Sequence, residues 1–230
     1  MGLGNTVVLA QVTTFLISFI VSFFLFVPLS TNQHEFNGKC LLYATGTWKS
    51  NKSVDDGVTQ LENIKWGPDS ACGFNIFMGV MVMLVSLFYV VWESLFLCRD
   101  TDSSWLGSFI KALLSIVMML LLFTSSLILS VGFNKWCRLI ERPESQLASC
   151  ETAQYITFLQ DYGIDQTNFY TEIQMAQFGG WCAFVCWVAV MAMALVKVYM
   201  SHKQEAFMTS MNRERQRLLQ KVGHHSSSTI

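Results

Sequence analysis

Four long apolar stretches constrain this chain more than anything else in it: residues 6–29, 74–97, 106–132 and 174–200. A helix that crosses a bilayer needs about 20 predominantly apolar residues, and backbone polar groups in hydrocarbon must be satisfied within their own segment. Each stretch therefore reads as a transmembrane helix. Only 13% of the 230 residues are charged, against roughly 25% in an ordinary soluble domain. The first stretch is longer than the ~7–15-residue core of a signal peptide and no charge precedes it, so it is expected to be retained. The expected fold is an all-α membrane protein: a four-helix transmembrane bundle over 1–200 with a small disulfide-stapled extracellular or lumenal cap, then a basic tail over 201–230.

Four spans put both termini on one side, so one decision orients the whole chain. The outer loops 30–73 and 133–173 hold seven Lys/Arg against eleven Asp/Glu, whereas the short loop, the tail and the adjoining span ends hold eight basic residues against four acidic. Basic residues near span ends stay in the cytosol. Both termini are expected to be cytosolic and both long loops to face outward. Asn51-Lys52-Ser53 then places an N-glycosylation acceptor, Asn51, on the side where glycans are added.

Seven cysteines are present. Cys40 and Cys72 bracket the first outer loop and Cys137 and Cys150 lie in the second, an oxidising location that reads as two disulfides. Local pairing, Cys40 with Cys72 and Cys137 with Cys150, is the favoured connectivity. Cys182 and Cys186 share a face of the fourth span as small apolar packing residues. Cys98, beside Arg99, is either a palmitoylation site or an interfacial thiol.

Within the spans, Ser18-xxx-Ser22 and Gly179-xxx-Ala183 match the small-residue pattern that lets helices approach closely, and intramolecular packing is their expected role. Glu93 is an acidic residue inside a span, by default a functional hypothesis. It lies about one turn from the cytosolic end, near the level of Lys111. The two are expected to form an interfacial charge or structural pair, with Glu93 close enough to reach water.

In the outer loops, "CLLYATGTWK" at 40–49 suggests a short strand and turn. Ser149 is expected to cap a helix running through Tyr162, with Tyr155, Phe158, Leu159 and Tyr162 on one face resting on the cap and Gly163 ending it. In the tail, Phe207, Met211, Leu218 and Val222 fall near one side of a helix, and Arg213, Arg217 and Lys221 form a stripe. Such a segment either lies on the anionic inner leaflet or extends the fourth span into solvent. The last residues place a hydroxyl at Ser228 and an apolar side chain at Ile230, the pattern that a PDZ groove accepts by strand addition.

At "VPLSTNQHEFNGKCLL", at "SVGFNKWC" with the following "SC", and at "AQFGGWCAFVCWVAVMAMALVKVY", the chain resembles the transmembrane protein 179 family. The resemblance covers most of the chain and implies a four-span membrane protein with no established biochemical activity and no catalytic residue to carry over. In layout the chain is also similar, more distantly, to the MARVEL-type synaptogyrins and synaptophysins. Claudins and the claudin-like receptor auxiliary subunits share that layout, but here Cys40 precedes Trp48, whereas the claudin signature places its tryptophans before both cysteines.

No residue pattern points to an enzyme, a cofactor, a metal or a nucleic acid. His34 is in an outer loop, and His224-His225 in the tail lacks accompanying metal-ligand spacing. The expected partners are membrane lipids, other membrane proteins and a PDZ-domain protein. The expected role is a scaffold, trafficking factor or channel- or receptor-associated subunit, with an oligomeric pore or transporter as the alternative.

Overall fold

The computed structural model describes residues 3–50, 59–99, 105–145, 147–156, 158–159 and 162–226. It contains helix α1 (Leu3–Glu35), strands β1 (Cys40–Ser50) and β2 (Thr59–Gly67), then helices α2 (Asp69–Arg99), α3 (Trp105–Ile140) and α4 (Phe169–Ser226). All four helices are long and apolar enough to cross a membrane. The chain is an integral, multi-pass membrane protein.

The helices overrun the expected spans at both ends. The clearest case is α3, which continues from 132 to Ile140 into the expected second loop. Its extra turns carry Phe133, Trp136, Leu139 and Ile140, all buried, so the extension forms a scaffold for the cap. In α1, Gly79 of α2 and Gly179 of α4 approach the same level from two sides. A Cβ on Gly79 would lie 2.6 Å from Phe26 Cβ, and one on Gly179 would lie 2.7 Å from the Leu25 nitrogen. Ser18, Ser22 and Ala183 are likewise fully buried inside the bundle. The small residues of the spans serve intramolecular packing.

Beyond one end of the bundle lies the cap. Strands β1 and β2 pair antiparallel, Trp48 opposite Leu61 and Ser50 opposite Thr59, with register shifts between Cys40 and Thr47. Tyr43 and Asn63 take positive φ values of 67° and 53°, as irregular strand positions do. Leu41, Leu42 and Ala44 are fully buried, and the Trp48 indole N–H donates to the Leu139 carbonyl at 2.8 Å. The hairpin is thereby fastened to the α3 extension. Disulfides Cys40–Cys72 and Cys137–Cys150, with Cα separations of 5.8 and 5.2 Å, tie the hairpin to the start of α2 and the second loop to α3.

One local expectation is corrected. Ser149 does accept from the Thr152 backbone N–H at 3.2 Å, yet the cap position belongs to Glu151, which makes no side-chain cap hydrogen bond, and the helix is a single 3-10 turn, Thr152–Tyr155, ended by an extended Ile156. Phe158 and Leu159 are almost completely buried, whereas Tyr155 is 76% exposed. Phe158 packs against Trp48 and Trp136, with ring centroids 5.6 and 6.5 Å away. Burial in the cap draws these side chains away from the face a longer helix would have given them, and tertiary contact overrides local propensity.

Candidate functional site

The bundle interior is organised on a seven-residue repeat. On α1 the buried positions Gln11, Phe15, Ser18, Ser22, Leu25, Leu29 and Asn32 alternate in steps of four and three. The α4 positions Phe169, Ile173, Ala176, Ala183, Trp187, Val190 and Ala194 follow the same rhythm. An apolar stripe of this period keeps one face toward neighbouring helices and drives left-handed packing. Here the stripe carries polar residues too, and they meet level by level.

Nearest the cap, Ser125 donates to the Asn75 side-chain oxygen at 2.5 Å, and the Asn75 amide donates to the Ala71 carbonyl at 2.7 Å. At mid-depth, Ser18 accepts from the Trp187 indole N–H and from the Ser86 hydroxyl, both at 3.1 Å. One turn further from the cap, Phe15 stacks on Tyr89 with centroids 5.1 Å apart. The antiparallel register that sets Ser18 against Ser86 and Phe15 against Tyr89 brings Gln11 to the level of Glu93.

Glu93 forms an ion pair with Lys111. Their side chains are only 5% and 8% exposed, so the interfacial reading of Glu93 is overturned: the side chain turns inward and is neutralised across α2 and α3. Lys111 also lies 5.8 Å above the Tyr89 ring, a cation–π distance. Gln11 is fully buried and Ser108 nearly so. Neither Gln11 amide atom, nor the Ser108 hydroxyl, has a hydrogen-bond partner among the described residues.

At the cap, Asn32 donates to Glu172 at 3.2 Å, and the Cys150 backbone N–H donates to Glu141 at 3.2 Å. The Asp165 carboxylate accepts from the Thr167 backbone N–H at 3.0 Å. Hydrogen bonding from the Thr167 side chain and backbone holds this carboxyl below its usual range. Among the described residues no group of three His, Cys, Asp or Glu could hold a metal ion. Cys182 and Cys186 are half-buried thiols.

Of the residues singled out in the sequence, the four outer cysteines meet in pairs, and Glu93 meets Lys111. Asn51, Ser228 and Ile230 lie outside the described residues, as does the side chain of Cys98. The buried polar residue Gln11 and the interior hydrogen-bonding residues Asn75, Ser86, Ser125 and Trp187 were not anticipated. Their signal is spacing: Gln11, Ser18 and Asn32 differ by multiples of seven, as do Ser86 and Glu93, Ser108 and Ser115, and Lys111 and Ser125.

A family model described as the transmembrane protein 179/179B claudin domain matches residues 7–219, a range holding all four spans, both disulfides and the polar stripe. The chain belongs to this family. Among its relatives is transmembrane protein 179B of Danio rerio, 22% identical over 183 residues that make up 78% of each chain. No solved structure matches the chain. The family's description also corrects one inference: the order of Cys40 and Trp48 pointed away from claudins, yet the domain is claudin-like.

Proposed function

We propose that this claudin-like membrane protein acts non-enzymatically, through protein–protein interaction, as a scaffold, trafficking factor or channel- or receptor-associated subunit. The observation that carries the reading is the Glu93–Lys111 pair. An intramembrane charge is by default a functional group, and here the two charges satisfy each other between α2 and α3, a structural use that leaves the cap and tail as the surfaces offered to partners. The charge balance of the loops supports cytosolic termini and an outward-facing cap, in the plasma membrane or in secretory or vesicle membranes. On that reading Asn51 carries a glycan and the end at Ser228 and Ile230 is offered to a PDZ groove.

The alternative, an oligomeric pore or transporter, draws support from the polar residues along the bundle interior, Asn75, Ser125, Ser18, Ser86, Glu93 and Lys111. Purification from native membranes in mild detergent, followed by identification of the bound proteins, tests the proposal. A recurrent channel or receptor supports the auxiliary role, and vesicle machinery supports trafficking. Absence of any partner, together with ionic current from the purified protein in liposomes, contradicts it.

A further inference from the structure

Where the cap meets the bundle, α3, α4 and the second loop frame an open cavity of about 460 Å³, within the range of small-molecule sites, about 300–1,000 Å³. Asn134 and Glu141 of α3, Glu151 of the loop, and Tyr170, Gln174 and Gln177 of α4 supply most of its polar lining. The Cys137–Cys150 disulfide lines it too, so a covalent link holds the loop at its edge. Glu141 is fixed by accepting from the Cys150 backbone N–H at 3.2 Å, and Gln174 donates to the Tyr170 hydroxyl at 3.2 Å. Phe133, also in the lining, packs on Tyr170 with ring centroids 5.7 Å apart. Two carboxylates and an aromatic pair thus face the cavity, and among the described residues no Lys or Arg lines it. Charge and aromatic faces together select a cation.

On its bundle side the cavity runs into an aromatic groove. Ser130, its deepest lining residue along α3, accepts from the Trp181 indole N–H at 3.2 Å. Trp181 in turn meets Phe123 and Phe184, with ring centroids 6.3 and 6.0 Å away. These rings lie at the level of the spans, and Phe123 and Trp181 are 41% and 37% exposed on the outside of the bundle, where hydrocarbon surrounds it.

One face of each helix runs through both regions. At about 100° per residue, Phe123, Ser130, Asn134, Arg138 and Glu141 of α3 fall within about 80° of one another. On α4, Tyr170, Gln177, Trp181 and Phe184 fall within a similar arc. Outward along α3 the groove presents aromatic rings, a hydroxyl, an amide with a guanidinium, and then carboxylates. Arg138 donates to Asn134 at 3.1 Å, which sets its charge at the rim, one turn or about 5 Å along the axis below Glu141. A zwitterionic phospholipid carries its groups in the same order: acyl chain, ester, phosphate and, two carbons further, ammonium.

We propose that the α3–α4 groove is a binding site for a zwitterionic phospholipid of the leaflet on the cap side. Glu141, Glu151 and the Tyr170 ring take the ammonium, Arg138 and Asn134 the phosphate, and the rings of Phe123, Trp181 and Phe184 an acyl chain. A soluble cation makes no use of the aromatic groove, and an anionic headgroup brings its net charge against two carboxylates.

Native mass spectrometry tests the site, with the full-length protein delipidated in detergent and titrated with phosphatidylethanolamine or with phosphatidylglycerol of the same acyl chains. The zwitterionic lipid is expected to fill a single site at a concentration at least fivefold lower. Glu141→Gln with Glu151→Gln should erase that preference, and Arg138→Gln should weaken both lipids while preserving it. Equal binding of the two lipids by the wild type, or an undiminished preference in the double variant, overturns the proposal. Should the double variant fail to fold, the exposed Arg138→Gln decides, and unaltered binding of both lipids overturns the proposal. Glycerophosphoethanolamine, the same headgroup without chains, should not compete; competition at equal concentration assigns the cavity to a soluble cation and overturns the lipid site.

Discussion

Ser18 of α1 accepts hydrogen bonds from both Trp187 of α4 and Ser86 of α2, so that one small hydroxyl joins three of the four helices at mid-depth. Net hydrogen bonds between membrane helices are worth little individually, about 0.6 kcal/mol on average and up to about 1.7. Ser18→Ala leaves the Trp187 indole without its acceptor in a dry interior and should cost about 1 kcal/mol. Thermal unfolding in detergent, compared with Trp187→Phe and with the double variant, checks this. The two changes should be strongly non-additive because they remove the same bond.

The buried ion pair should be far less tolerant. Losing one member of a buried pair costs roughly 3–5 kcal/mol because the other is left uncompensated. Glu93→Gln alone should therefore misfold or lose most of its yield of folded protein in membranes, and adding Lys111→Met should restore much of it. Expression and unfolding midpoints of the single and double variants decide the matter; a single variant as stable as the wild type would place the carboxylate in contact with water instead.

Close approach at Gly179 makes a third expectation. Its Cβ would meet the α1 backbone at 2.7 Å, and backbone cannot step aside as a flexible side chain can. Gly179→Ala should separate α1 from α4 locally and cost about 1–3 kcal/mol, as overpacking does. Cross-linking between cysteines introduced at exposed neighbouring positions of α1 and α4 would register the change as a lower yield.

For the cap, non-reducing peptide mapping should recover Cys40 joined to Cys72 and Cys137 joined to Cys150, with Cys182 and Cys186 as thiols. A Cys40–Cys137 peptide would contradict the local pairing. Glycosidase sensitivity abolished by Asn51→Gln would add that the hairpin faces the lumen or exterior.

How far the fold was legible depended on the kind of signal. Four spans stand out because a bilayer demands uninterrupted apolar length, whereas position within two loops only favours local cysteine pairing among three possible connectivities, and the fold brings those pairs together. The inward faces were hidden: in lipid both sides of a helix are apolar, so hydrophobic periodicity cannot distinguish them. Polar residues could have, since Gln11, Ser18 and Asn32 fall seven or fourteen apart on α1 and all prove buried. Glu93 read alone looked interfacial, because its partner lies on another helix and only packing reveals that both turn inward. The second loop failed for a related reason: its periodicity suits a helix through Tyr162, but burial of Phe158 and Leu159 in the cap decides its conformation.

The central claim is that the intramembrane charges are structural and that function lies in surfaces offered to other proteins. Replacing a buried ion pair with apolar residues of similar volume is often neutral or stabilising, which separates the two uses of the pair. The most direct measurement compares the proteins bound, and the ionic current in liposomes, for the wild type and for the folded double variant Glu93→Met with Lys111→Met. The same partners at unchanged levels, with no current from either protein, are the predicted result. A folded double variant that loses its partners, or that abolishes a current the wild type carries, would contradict the account.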